Sequence, residues 1–547
     1  MIDPKRMYEN MKKLVEVPSV SGTKEERQGA YALEALLYDL DYFKAHRDQV
    51  KLLPLYDDLL DRSIVTAFLN IHPDNPKTVI LSGHYDVVDV EEYGHLQDIA
   101  YDVEEITKRI NEMPLDEDSL RDYESGEWIF GRGTADMKYG HALCLELLDY
   151  YSKNPEEIDG NLLYVAVCGE ETNSEGMLRA LPFFNDFAKE KNLDYQAFLL
   201  TECYMMEDQA KDKNHYIHYG SSGKVMPMFF FVGESTHFGE PFLGLDPNLM
   251  SAKVYNKLQL NTDFCQSSHG MTTPPPSCLK MMDLKTNYSA SIPLYAAAYY
   301  AMVTVDLDPE ETLEKLKALA QEAMEESIGY LEDQAKAYEK ITGEETIRYK
   351  YEPAVYTFEE LVKEIKKDYE GDFDQDLKDF ALEKMKEGKE IQSVAVDLVK
   401  RAYEVYKNKR PMIILSFIPP FYPDSYLAKD QEKVARLMEV CEKIMDYADK
   451  EFQEPLKMKD WYMGISDMCY TGLQEGRDFD ELFQNLVGTG SLYQFPGEDM
   501  KEFKVPGIVM GGYGKDFHKH TERLHKHYNF QVLPQLYIQM INELLKK

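Results

Sequence analysis

The run Asn161-Leu-Leu-Tyr-Val-Ala-Val-Cys168 is an almost unbroken apolar stretch rich in β-formers, and only Gly169 separates it from two adjacent carboxylates, Glu170 and Glu171. Such a run reads as a buried strand. Turn and capping residues follow at Asn173-Ser-Glu-Gly, and an amphipathic helix is expected from Glu175 to Lys191. Strand-like segments also stand at Ser63–His72 and Lys77–Val88, joined by Pro73-Asp-Asn-Pro76, and at Tyr195–Glu202. Strands alternating with helices call for an α/β fold, a mostly parallel twisted sheet flanked by helices. Open sheets of this kind bind ligands beyond the C-terminal ends of their strands, where Glu170 and Glu171 lie. Side by side the two acids repel each other, and a divalent metal is the simplest source of compensating charge. A pair of solvated loop acids is the other reading.

A chain of 547 residues exceeds one domain. Residues 1–215 are expected to form the first part of a catalytic domain, with a helix over 4–17. A Thr23/Glu26 capping box is expected to start a second helix, reaching about Tyr42. Residues 216–340 read as a smaller α+β lid or dimerisation domain: β-like Tyr216–Glu234, small apolar residues over Tyr288–Asp306, then a helix at Glu310–Tyr330. Residues 341–410 are charged and helix-prone, with a Thr357/Glu360 capping box, and read as an inserted helical arm. Residues 411–547 are expected to return to the catalytic domain, with strands at 411–417 and Val505–Met510 and a closing helix near 530–547.

The formal net charge of −37 argues against nucleic acid or an anionic membrane as partner. No run of eighteen apolar residues spans a bilayer, and the polar start at Met1 lacks the core of a signal peptide. The seven cysteines are scattered with no CxxC spacing, as expected of reduced thiols in a cytoplasm.

Further metal-type donors stand at other segment ends. Gly83-His84-Tyr-Asp86 closes a strand, and alternation puts His84 and Asp86 on one face. A carboxylate there can receive the spare ring N–H of a metal-bound imidazole, and a core histidine is the alternative. Gly131-Arg-Gly-Thr-Ala-Asp136-Met-Lys places an acid in a glycine-rich turn, suited to bridging two cations or to capping the following helix. Glu202 ends another strand. Gly511-Gly-Tyr-Gly-Lys-Asp-Phe-His518-Lys-His-Thr-Glu-Arg-Leu-His525-Lys-His527 follows one more with four histidines, of which a single ligand is needed. Together these supply imidazole and carboxylate donors for two zinc-like ions sharing one carboxylate, with Glu170 left over as a base.

In this order the motifs HxD, GRGxxDMK, GEE, a strand-end acid and a C-terminal GG…H resemble the zinc peptidase family M20, which holds aminoacylase, acetylornithine deacetylase, succinyl-diaminopimelate desuccinylase and carboxypeptidase G. Length, the arm and the Asp516–His525 segment look closest to its arginine-utilisation, RocB-type branch. The resemblance implies a zinc-exopeptidase-like catalytic domain and two divalent ions, most simply zinc, with cobalt or manganese as alternatives. One ion would take His84, Asp136 and Glu202, and the other Asp136, Glu171 and His518. His518 is chosen over His520 because His518-x-x-x-Glu522-Arg523 has the family's spacing. Glu170 would be the general base and Asp86 the partner of His84. In the second domain Gly233-Glu-Ser-Thr-His237 with Pro241, Gly244 and Asn248 looks like the family's element whose histidine reaches a neighbouring active site. His237 would then polarise the scissile carbonyl within a homodimer, and Asn248 would contact substrate. A structural hairpin histidine is the alternative for His237.

The implied activity is hydrolysis of an amide-type bond in a small N-acyl, N-carbamoyl or peptidyl amino acid, with arginine-related compounds suggested by the branch. A free-amine aminopeptidase or dipeptidase with the same centre, or a non-catalytic metal-binding relative, are the rival classes. The family's lid arginine has no counterpart: its segment reads Asp306-Leu-Asp308, and no arginine occurs between Arg179 and Arg348. Tyr139 also stands where the family commonly has glycine.

Overall fold

A computed structural model of the chain describes residues 2–204, 206, 211–429, 431–473 and 476–546. They form two compact units, one of Met1–Ser222, Ser425–Glu475 and Pro496–Lys547, the other of Gly223–Asp424 and Gly476–Phe495.

The first unit is built on an eight-stranded mixed sheet. Its order is Val50–Pro54, Ser63–Leu69, Asn161–Val167, Lys77–His84, Asp194–Leu200, Gly507–Val509, His215–Ser221, Leu456–Tyr462. The two strands at the first edge run antiparallel, whereas the four central strands, Asn161–Val167 through Gly507–Val509, run parallel. All seven residues of Asn161–Val167 are buried, as expected for the apolar run Leu162–Val167 in the parallel part of the sheet. Register pairs His84 with Val167, Ser82 with Leu200 and Leu200 with Val509, so the C-terminal ends of the four central strands lie level. Helices on the sheet include Tyr139–Lys153, buried along most of its length, and Glu175–Lys191, whose bounds match the sequence expectation.

The second unit has a six-stranded sheet in which Ser277–Asp283, Tyr295–Thr304, Pro227–Val232, Met412–Phe417 and Val355–Thr357 are successive neighbours. Gly223–Val225 pairs with Tyr295–Thr304 off that path. Two expectations are corrected here. Met412–Phe417 does not return to the first sheet; it lies antiparallel to Pro227–Val232, and the unit's first long segment ends at Asp424 rather than at 410. The stretch 341–410 is not a free arm either. Its strand Val355–Thr357 joins this sheet, and helices Phe358–Lys366, Phe373–Lys386 and Ile391–Val405 bury Leu361, Ile365, Phe373, Val394 and Val399 with Met228 and Phe230 of the sheet. Apolar spacing on those charged helices covers one face of the sheet, and that burial binds them to the unit. The Thr357/Glu360 capping box forms as expected. The Thr23/Glu26 box does not: the Thr23 hydroxyl donates to the Val20 carbonyl, while the Glu26 carboxylate accepts from the Gly22 N–H and pairs with Arg62. Buried charge overrides local capping there.

All seven cysteines are unpaired. Among the described residues no helix is long and apolar enough to cross a membrane.

Gly176, in the first turn of Glu175–Lys191, donates its N–H to the Cys168 carbonyl at 2.9 Å. A Cβ added there would lie 2.4 Å from both the Cys168 nitrogen and its carbonyl oxygen. Helix and strand approach that closely only because the position is glycine. Gly176→Ala is therefore expected to destabilise the protein by about 1–3 kcal/mol, read as a lower denaturant midpoint. An unchanged midpoint would mean that the contact relaxes without cost.

Candidate metal centre

Each donor sits at the mouth of the central parallel strands or in a turn that packs there. His84 is the last residue of its strand, Glu170 and Glu171 follow Asn161–Val167, and Glu202 follows Asp194–Leu200. Asp136 is carried by the turn after Trp128–Phe130. His518 is carried by the loop between Gly514–Lys515 and Arg523–His525, two short strands that share a three-stranded sheet with Trp128–Phe130.

The side chains converge. His84 Nε2 lies 3.1 Å from Asp136 Oδ1 and 3.0 Å from Glu202 Oε2. His518 Nε2 lies 3.1 Å from Asp136 Oδ2 and 3.0 Å from Glu171 Oε2. The two oxygens of Asp136 thus face two different imidazoles. Donor atoms of His84, Asp136 and Glu171 lie within 4.8 Å of one another, close enough to hold a metal ion. Glu170 Oε2 stands back, 3.9 Å from His84 Nε2.

His84 Nδ1 faces the Asp86 backbone carbonyl at 3.0 Å and the Asp86 carboxylate at 3.6 Å, leaving Nε2 for the cluster. The closer of the two contacts is with the Asp86 main chain, not with the carboxylate expected as the partner of His84. The Asp86 carboxylate also accepts the N–H groups of Glu170 and Glu171 at 3.3 and 3.1 Å, fixing the turn that carries both acids. His520 turns away, its Nε2 on the Pro114 carbonyl at 2.8 Å.

The cluster is crowded with negative charge. Burial drives Glu170 well above the usual carboxylate range, against the pull of His84. Burial and Asp136 raise Glu171 to about 7, and the same two influences raise Glu202. Burial works to raise Asp136 as well, but hydrogen bonds from His518 and His84 outweigh it and hold Asp136 low. Hydrogen bonds to Asp136 and Glu171 in turn lift His518 to about 11. An imidazole nitrogen about 3 Å from two carboxylate oxygens requires positive charge at that point. Protons on the rings meet the need, and so do divalent ions drawing the same nitrogen and oxygen atoms inward. Two imidazoles with hard oxygen donors and no thiolate suit zinc-like ions.

Asp467, which the motifs do not reveal, also belongs here. It is buried in the short turn Asp467–Tyr470 after the strand Leu456–Tyr462, and burial with the charges of Asp86 and Glu202 raises it to about 7 against the pull of His84. Its one sequence signal is an acid soon after a strand end, in Gly464-Ile-Ser-Asp467. His237 and Asn248 lie in the second unit. The His237 ring is exposed and accepts the Gly239 N–H at 3.2 Å, and Asn248 is the second residue of helix Pro247–Leu258. In that unit Arg477 pairs with Asp424 and lies 3.4 Å from Asp306, so the Asp306-Leu-Asp308 segment receives a guanidinium from far downstream.

A model of Peptidase family M20/M25/M40 matches residues 80–543. The chain belongs to this family. It is a metal-dependent hydrolase acting on amide-type C–N bonds. The protein YqjN of Bacillus subtilis (strain 168) is 33% identical over 536 residues, covering 98% of this chain and 95% of its own length. The protein RocB of the same organism is 29% identical over 537 residues, covering 97% and 94%. Among solved structures, the M20 family metallo-carboxypeptidase Sso-CP2 from Sulfolobus solfataricus superposes with a TM-score of 0.55 at 12% identity, covering 98% of both chains. At that identity the likeness establishes the fold.

Divalent ions added to chelator-treated protein are expected to raise its thermal midpoint. A free concentration one hundred times the dissociation constant corresponds to about 2.7 kcal/mol of stabilisation. Scanning fluorimetry with zinc, cobalt and manganese reads the shift, and an unmoved midpoint with all three would exclude metal binding by this cluster.

Proposed function

We propose that this chain hydrolyses the amide bond of an N-acyl, N-carbamoyl or peptidyl amino acid, as a cytoplasmic homodimer carrying two zinc ions. One ion is held by His84, Asp136 and Glu202, the other by Asp136, Glu171 and His518. The observation that carries this reading is the Asp136 carboxylate, with one oxygen on each imidazole. Cobalt and manganese suit the same nitrogen and oxygen donors. The likeness to RocB along nearly the whole chain, with the arginine-utilisation branch that the sequence resembles, supports an arginine-related substrate.

Bound divalent ions would supply a water made acidic near neutral pH and a polarised substrate carbonyl. Glu170 moves the proton. Its carboxylate is nine-tenths buried and stands outside hydrogen-bonding distance of His84, so it is free to take a proton from the attacking water and deliver it to the leaving nitrogen. Asp86 orients His84 through Nδ1 and holds the Glu170–Glu171 turn through two backbone N–H groups. His237 donates to the developing oxyanion from a neighbouring copy, and Asn248 contacts substrate. Support for the dimer comes from the second unit's edge strand, Ser277–Asp283, where Leu279 and Met281 are 55% and 44% exposed. Unpaired cysteines support the cytoplasmic location.

Glu170→Ala should lower turnover by about 10²–10⁴-fold while metal content stays at the wild-type level. Turnover close to wild type would remove Glu170 from the proton transfer. A panel of N-acyl, N-carbamoyl and free-amine dipeptide substrates, assayed on metal-loaded protein, separates the proposed reading from an aminopeptidase or dipeptidase. Inertness across the whole panel would favour a non-catalytic relative. Leu279→Lys combined with Met281→Lys is expected to give a monomer by light scattering, and a dimer that survives both changes would place the interface elsewhere.

A further inference from the structure

Behind Asp136 stands a carboxylate that the proposed chemistry does not use. Glu522 is fully buried. Its Oε2 accepts from Arg132 Nη1 at 2.6 Å, and its Oε1 accepts the N–H groups of Ala135 and Asp136 at 3.2 and 3.3 Å. Its backbone carbonyl accepts the Gly131 N–H at 3.2 Å. Arg132 is itself buried, with Nε on the Asp89 carbonyl at 3.0 Å. One side chain therefore gathers three donors of the Gly131–Asp136 turn and fixes the peptide planes on either side of Ala135. Those planes set the direction in which the Asp136 side chain leaves the backbone.

The next residue works on the other partner of Asp136. Arg523, also fully buried, is 2.8 Å from Asp122 and 2.7 Å from Asp118, and it binds Asp516. Asp516 begins the loop that presents His518, and both residues hold left-handed backbone, with φ of 57° and 64°. Non-glycine residues keep that conformation where surrounding contacts over-determine it. Glu522 and Arg523, adjacent in the chain, thus reach back to the turn of Asp136 and to the loop of His518.

We propose that Glu522 is a positioning residue for the shared ligand: it holds Asp136 so that its two carboxylate oxygens face two metal positions at once. The proposal rests on the reading of Asp136 as a bridging ligand. Groups that orient a metal ligand from behind typically change metal affinity by about 10–100-fold when replaced. Glu522→Gln removes the charge facing Arg132 and the turn amides. Glu522→Asp keeps the charge but draws the oxygen back from the Ala135 and Asp136 N–H groups.

The experiment is calorimetric titration of the chelator-treated full-length protein with Zn²⁺, and in parallel Mn²⁺, alongside circular dichroism of the metal-free variants. Both variants are expected to fold and to bind metal about 10–100-fold more weakly than wild type, Glu522→Asp included. Wild-type stoichiometry and affinity in either folded variant would overturn the proposal. Failure of both variants to fold would also overturn it, because Glu522 would then serve the fold rather than the ligand. Asp136→Asn, titrated in the same way, separates the two readings. If it binds two ions as wild type does, the bridging assignment itself fails. If it loses metal while the Glu522 variants do not, only the role of Glu522 falls.

Discussion

The candidate metal centre depends on one electrostatic arrangement, a carboxylate whose two oxygens each face an imidazole at 3.1 Å. The residues that meet at Asp136 are drawn from distant parts of the chain. Their convergence depends on the parallel run Asn161–Val167, Lys77–His84, Asp194–Leu200, Gly507–Val509, whose register levels the strand ends. A slip of one residue in any of these strands would turn its terminal side chain toward the opposite face. Continuous burial on both sheet faces resists such a slip, because every shifted position would move an apolar side chain out of a packed site. The hydrophobic core therefore sets the geometry of the polar cluster.

Much of this was legible in the sequence because strand ends leave local marks. The unbroken apolar run before Glu170, the His84-x-Asp86 pair and the glycines around Asp136 each encode a segment end and a donor in a few residues. The helix Glu175–Lys191 was readable to the residue, since its start lies just after a turn and its face is amphipathic. Less legible was anything fixed by long-range pairing. Met412–Phe417 is as apolar as a strand of the first sheet, and nothing local distinguishes its true neighbour, Pro227–Val232. The charged helices of 358–405 look like a solvated arm until their apolar faces are seen against Met228 and Phe230. Thr23 and Glu26 satisfy the capping pattern, yet Arg62 sits beside Glu26 from a position that local pattern does not reach.

The supports of the site were the least visible. Asp86 reads as a companion of His84, but the turn of Glu170 and Glu171 also hangs from it through two backbone hydrogen bonds. Asp467 carries no motif beyond a strand-end position. Such roles depend on which backbone amides come within reach, and the sequence records side-chain types more plainly than it records amide directions.

The distribution of fixed positive charge explains why the centre is left short of it. Arg62 is bound to Glu26, Asp58 and Glu175. Arg132 is bound to Glu522, and Arg523 to Asp118, Asp122 and Asp516. Arg132 and Arg523 neutralise the acids that brace the Asp136 turn and the His518 loop, Glu522 and Asp516. The ion pairs of Asp136, Glu171 and Glu202 are with histidine instead, a group whose proton can leave. A guanidinium in that place would neutralise the acids permanently and occupy the volume between them. With permanent cations held at the supports and titratable ones at the centre, divalent ions can displace the protons without dismantling the scaffold, and metal uptake becomes linked to proton release.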